Sequence, residues 1–138
     1  MNGNTQPPTS NGIQAAALAN RRDESVEYVG FRVDGRAVVL NLSDHRRLSP
    51  DRSLELVNHS PSGFEWGYGG SGPAQLALTL LPDYTGDEAF ALDHYQEFKN
   101  EVVSQLDCAG SDGRWRLTGR EIDAVLHETP GEPVAPSI

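Results

Sequence analysis

Two runs, Val26-Glu-Tyr-Val-Gly-Phe-Arg-Val33 and Arg36-Ala-Val-Val-Leu40, flank the dipeptide Asp34-Gly35. Both runs are rich in β-branched and aromatic residues. A two-residue Asp-Gly link between such runs predicts a hairpin, because a type I′ turn needs positive φ at both of its central positions. Partial alternation in the first run makes Tyr28, Phe31 and Val33 its core candidates. The chain therefore opens its fold on an antiparallel pair, and later elements must cover one face of it.

Downstream, Asn41 to Asp51 reads as a loop, and Ser53-Leu-Glu-Leu-Val57 as a short strand. Phe64-Glu-Trp66 reads as another, running into the glycine-rich turn Gly67-Tyr-Gly-Gly-Ser-Gly72. A helix is predicted from Ser71 or Gly72. Pro73 suits its first turn, Gln75 is placed to reach back and cap Gly72, and Pro82 ends it. Ala74, Leu76, Ala77, Leu78, Leu80 and Leu81 make it apolar almost all round, as a buried helix is. Thr85-Gly-Asp-Glu88 is a capping-box pattern opening a helix from Asp87 to Gln105. Ala91, Tyr95, Phe98, Val102 and Leu106 fall on its apolar stripe. Arg114-Trp-Arg-Leu117 alternates as a strand, with both arginines on the face opposite Trp115. Thr118-Gly-Arg-Glu121 is a second capping box, before a last helix to His127 carrying Ile122, Val125 and Leu126. Strands come first and helices after, with one late strand. The fold class predicted is α+β: a small antiparallel sheet packed against two or three helices.

The ends differ from this middle. Residues 1–25 and 128–138 are rich in polar residues, Pro and Gly, and their composition predicts mobile tails around one domain at 26–127. Residues 13–20 could form a helix by propensity, though one too short to stand alone.

Net charge is −9, with ten arginines and a single lysine, Lys99. Such a balance repels phosphate backbones at long range and disfavours general nucleic-acid affinity. It fits a GC-rich genome or a salt-adapted cytoplasm. Cys108 is the only cysteine, which excludes an intrachain disulfide and agrees with a reducing cytoplasm. Asp107 and Asp112 nearby argue against a reactive thiolate there. The first residues lack a signal peptide's basic start and apolar core, and no apolar run is long enough for a membrane span.

Chemistry-bearing patterns are incomplete throughout. The Gly67–Gly72 run lacks the lysine of a phosphate-binding loop, and its glycine spacing misses the dinucleotide pattern. Gly69-Gly-Ser-Gly-Pro73 misses the last glycine of a nucleophile elbow, leaving Ser71 as a helix cap. The four histidines, His45, His59, His94 and His127, show no ligand spacing. Glu97 and Glu101 share a helix face and read as solvated surface. No catalytic residue, metal or cofactor is expected. Two sets of candidates remain. One is a ligand site at the glycine loop from Trp66, Tyr68, Gly69, Gly70, Ser71 and Gly72, with Arg114 and Arg116 converging on free N–H groups. The other is the basic cluster Arg46, Arg47 and Arg52.

The run Trp66-Gly-Tyr-Gly-Gly-Ser-Gly-Pro-Ala-Gln-Leu-Ala-Leu78, followed by Tyr95-Gln-Glu-Phe-Lys99, Trp115-Arg-Leu-Thr118 and Glu121-Ile122, resembles an uncharacterised domain family of bacteria, haloarchaea and their plasmids and viruses. The resemblance covers residues 26–127. It implies a small cytoplasmic domain and a mobile-element or viral setting, and it carries over no catalytic role.

The leading expectation is a non-enzymatic module that binds a protein or a small anionic ligand. Its rivals are a nucleotide- or anion-binding domain at Gly67–Gly72, with or without an enzymatic activity, and a nucleic-acid binder through Arg46, Arg47 and Arg52.

Overall fold

The structure, a computed structural model, describes residues 25–110 and 112–127. The tails and the 13–20 segment lie outside the described residues.

Strand β1 (Glu27–Val33) and strand β2 (Arg36–Asn41) pair antiparallel, with Val33 opposite Arg36. Asp34 at φ 51° and Gly35 at φ 81° make the turn, so the hairpin forms as its Asp-Gly link dictates. Strand β3 (Arg46–Arg47) adds to β2, and strand β4 (Trp115–Thr118) adds to β1. The order is β3-β2-β1-β4, all antiparallel. Helices α1 (Asp51–Leu56), α2 (Ser71–Thr85), α3 (Glu88–Glu101) and α4 (Gly119–His127) complete an α+β arrangement.

Tyr28, Val39, Trp115 and Leu117 share the sheet face turned to the core, while α2 supplies Leu76, Leu78, Leu80 and Leu81 with none exposed. Burying each leucine contributes about 1.5–3 kcal/mol of transfer free energy. Trp66 meets Trp115 edge-on, ring centroids 5.5 Å apart. Gly30 is opposite Trp115 in the ladder, and a Cβ there would overlap the indole. Only glycine lets that ring lie on the sheet.

Several expectations are corrected. Phe31 is only half-buried and Val33 is 49 % exposed; Tyr28, Val29 and Gly30 are the buried residues of β1. The strand alternates from Tyr28, which sends Phe31 and Val33 to the outer face. Residues 53–57 are not a strand, because α1 begins after Pro50 and Arg52 pairs with Glu55 one turn on. Phe64–Trp66 joins no ladder, although Phe64 and Trp66 are buried. Ser71 does not cap α2: Gly70 is its N-cap, without a side-chain bond. Pro82 does not end α2. An interior proline costs about 3 kcal/mol, yet the three residues after it are each anchored. Asp83 accepts from Tyr28, the Tyr84 hydroxyl bonds Asp123, and Thr85 donates to the carbonyl of Leu81. Gly86, left-handed at φ 72°, then closes the helix. Thr85 is thus inside α2, and Asp87 alone caps α3 by accepting from the Phe90 N–H at 2.9 Å. Helix α3 stops at Glu101, and Val103–Gln105 is a 3₁₀ turn. The Thr118–Glu121 box forms with both reciprocal bonds.

Candidate functional site

Gln75, three residues past the glycine loop, anchors a neighbouring segment. It is fully buried and makes four hydrogen bonds. Its Oε1 accepts from the N–H of His59 at 2.8 Å and of Ser60 at 2.9 Å. Its Nε2 donates to Ser53 Oγ and to the Val57 carbonyl. That satisfies the whole amide and pins the 57–60 segment to α2. Gln75 therefore does not reach back to cap Gly72.

The loop itself is partly open. Gly67, Tyr68, Gly69 and Ser71 are exposed, while Gly70 lies under the Tyr68 ring and Gly72 against the Cβ of Glu65. Gly67, at φ 87°, donates its N–H to the Val103 carbonyl. Trp66 is buried. Arg114 and Arg116 do not converge here. The Arg114 guanidinium stacks over Phe31 at 4.9 Å. Arg116 bonds Asp112 at 2.9 Å and Glu27 at 3.2 Å. The cation that does reach this region is Arg32, which no sequence motif marks. It lies 4.5 Å over the Trp66 ring and is bidentate to Glu65. Alternation along β1 places Arg32 on the core-side face with Tyr28, and that was the available signal.

Of the basic cluster, two members are neutralised. Arg46 bonds Asp44 at 2.7 Å and Asp83 at 2.8 Å, and Asp83 also accepts from Tyr28 and Asn41. Arg52 bonds Glu55 and Glu88. Hydrogen bonds to these carboxylates raise both guanidinium pKa values, as bonds to Glu65 and Asp112 raise those of Arg32 and Arg116. Arg52 pulls Glu88 below the usual glutamate value. Burial first, then Asp83, pushes the Tyr28 phenol well above its ordinary range.

Arg47 is different. It sits opposite Leu40 on the outer sheet face, whereas Arg46 beside it points the other way. Among the described residues, neither Arg47 nor Arg36 has an acidic partner within ion-pair distance. Both line one notch of about 640 Å³, together with Ala37, Ser49, Ser62 and Gly63, over the buried side chains of Leu48 and Phe64. The notch's one carboxylate, Glu65, is held by Arg32. A second hollow of about 440 Å³, around Val33, Asp34 and Val38, has the same two arginines on its wall.

The notch exists because β3 is only two residues long. The Leu48 N–H still reaches the Val39 carbonyl at 2.9 Å. Continued two residues further, the register would bring Pro50 opposite Ala37, and proline has no N–H to give. The chain turns into α1 there, and the β2 edge from Arg36 to Val38 is left uncovered.

A family model for a family of unknown function, DUF6166, matches residues 28–128. The chain belongs to that family. No curated protein and no solved structure matches it significantly. The DUF6166 match spans both the glycine loop and the notch.

His59 Nε2 lies 2.7 Å from the Tyr95 hydroxyl, and His94 is packed on Phe90. Cys108 is half-buried with its Sγ near the Gly30 carbonyl. Among the described residues no group of His, Cys, Asp and Glu is placed to hold a metal ion, and no helix is long and apolar enough to cross a membrane.

Proposed function

We propose that this DUF6166 chain is a non-enzymatic interaction module whose notch at the β2 edge receives an anionic group of a partner or ligand. One observation carries the reading: Arg36 and Arg47 line the same notch and, among the described residues, neither is ion-paired, in a chain of net charge −9. Elsewhere on the sheet, Arg32, Arg46 and Arg116 each hold a carboxylate. Two guanidiniums left open in an acidic protein attract an anion, and their planar forks suit carboxylate or phosphate. Ser49 and Ser62 add hydroxyl donors at the rim. The reading keeps the anion expected of the sequence and moves it from the Gly67–Gly72 loop, where no unpaired arginine arrives.

The test is a titration of ¹⁵N-labelled protein with inorganic pyrophosphate, ATP and an acidic peptide at low salt. Saturable shifts are expected at Arg36, Ala37, Ser49 and Gly63. An Arg36→Ala/Arg47→Ala double variant loses about 10²–10⁴-fold in affinity, at about 1.5–3 kcal/mol for one charged hydrogen bond from each arginine. Shifts centred on Gly69–Ser71, or none at the notch with any of the three probes, would overturn it.

A further inference from the structure

The exposed edge beside the two arginines narrows the class of ligand. We infer that the notch takes a short extended acidic segment of another protein, added to the sheet as a strand along β2. This rests on the notch being the binding site.

Backbone geometry points to an edge with hydrogen bonds to give. A two-residue turn makes Val33 and Arg36 a hydrogen-bonded pair. Alternation in an antiparallel ladder then turns the N–H and C=O of Ala37 away from β1. Val39 has the same parity, and its carbonyl does reach outward, to Leu48. The same two groups of Ala37 face the notch, and Pro50 leaves them without a strand partner. An incoming strand supplies both a donor and an acceptor there. A volume of about 640 Å³ holds an extended run of a few residues.

Side-chain alternation then sets the sequence such a segment carries. The residue opposite Ala37 points to the core-side face, over Leu48 and Phe64 and toward Glu65. An acidic side chain there meets Glu65, so that position is apolar. Its two neighbours point to the outer face, which carries Arg36 and Arg47. Acidic residues fit at both. The recognised pattern is acidic–apolar–acidic in extended conformation. Charge also selects the partner: edge arginines deter cationic strands, and a second copy of this acidic chain is repelled overall. A nucleoside polyphosphate could satisfy the arginines but leaves the carbonyl of Ala37 without a donor.

Ala37→Pro separates the two parts of the inference. Its ring removes the outward N–H and spares the bonds to β1, since edge strands tolerate proline at that parity. The probe is an acetylated, amidated heptapeptide alternating Glu and Val, with inorganic pyrophosphate as the second arm. Wild type is expected to bind both and to protect the Ala37 amide from hydrogen exchange on adding the peptide. Ala37→Pro should lose about tenfold or more for the peptide and stay within about twofold for pyrophosphate. A heptapeptide N-methylated at alternate residues should fail on wild type, which makes the same test if Ala37→Pro does not fold. Unchanged peptide affinity in Ala37→Pro, or equal binding of the N-methylated peptide, overturns strand addition. Pyrophosphate binding at the notch without peptide binding overturns strand addition and leaves the notch reading standing. Absence of both at Arg36 and Arg47 overturns the notch reading itself.

Discussion

The Gly67–Gly72 loop and the β2 notch share a neighbour in Glu65 and differ in what they leave open. At the loop, Glu65 packs its Cβ under Gly72; at the notch, its carboxylate is held by Arg32. The loop is conspicuous in sequence, yet three of its residues are taken up by packing, Gly70 under Tyr68, Gly72 on Glu65 and Trp66 against Trp115, while Gly67, Gly69 and Ser71 stay exposed. The notch is made of ordinary residues, yet two charges and a backbone edge there find no partner among the described residues. Conspicuous glycines report where the chain is crowded. Unpaired groups report where something else belongs. Adjacent residues show the same split, since Arg46 closes a carboxylate knot while Arg47, one residue on, has no acid paired to it among the described residues.

That contrast breaks first if the loop side is not a scaffold. Gln75→Leu keeps the volume and removes the amide that holds the 57–60 segment. It strands the N–H groups of His59 and Ser60 and the carbonyl of Val57. Leaving partly buried groups unmet predicts a loss of about 3 kcal/mol, or on the order of 15 °C in Tm for a domain of this size. Thermal unfolding reads it directly. A drop under a few degrees would mean that water replaces the amide and that the segment was never pinned.

Gly72→Ala tests the crowding itself. A Cβ at Gly72 would stand 2.5 Å from the Cβ of Glu65 and 3.2 Å from its backbone nitrogen. Neither atom is the end of a flexible chain, so the backbone must shift. Overpacking of this kind costs about 1–3 kcal/mol. Gly69→Ala meets nothing within 4 Å and is expected to change stability far less. Chemical denaturation of the pair decides it. Equal losses at both positions would show that the loop's glycines serve the turn's backbone and not its packing.

Much of the fold was legible for reasons these residues make plain. Asp34-Gly35 demands positive φ whatever surrounds it. Trp115 and Leu117 alternate against Arg114 and Arg116, and the Thr118–Glu121 box closes on itself. All are local rules. What escaped reading depends on partners far along the chain. Pro82 is a stop signal that Tyr28, Leu81 and Asp123 override. Five residues, Ser53 to Val57, fit strand or helix equally until Pro50 and Glu55 are seen in place. Gln75 three residues after Gly72 fits a cap as well as a core amide. The site escaped for the same cause. Arg36 and Arg47 lie eleven positions apart, and nothing in their neighbours distinguishes them from Arg46, Arg52 or Arg116. Knowing which arginines are neutralised takes the whole set of acids in space.

Tyr28 gives the finest test of the split between Arg46 and Arg47. Its hydroxyl donates to Asp83 at 2.7 Å, on the same carboxylate that Arg46 grips. Tyr28→Phe removes that donor but leaves Arg46 and Asn41 on Asp83, so the loss near pH 8 is small, about 1 kcal/mol. The pH profile says more. Burial first, and then Asp83, raises the folded pKa above the unfolded value of 10.0. Below that value both states keep the proton and the contribution is complete. Above it the unfolded chain ionises while the folded one resists, so wild type loses about 1.4 kcal/mol per pH unit on this account. The phenylalanine variant lacks that slope. Urea midpoints from pH 8 to 11 should therefore converge as the pH rises, wild type falling toward the variant. Parallel profiles would mean that the phenol ionises freely in the folded state. The knot around Asp83 would then be open to water, and Arg46 would be as available to a ligand as Arg47.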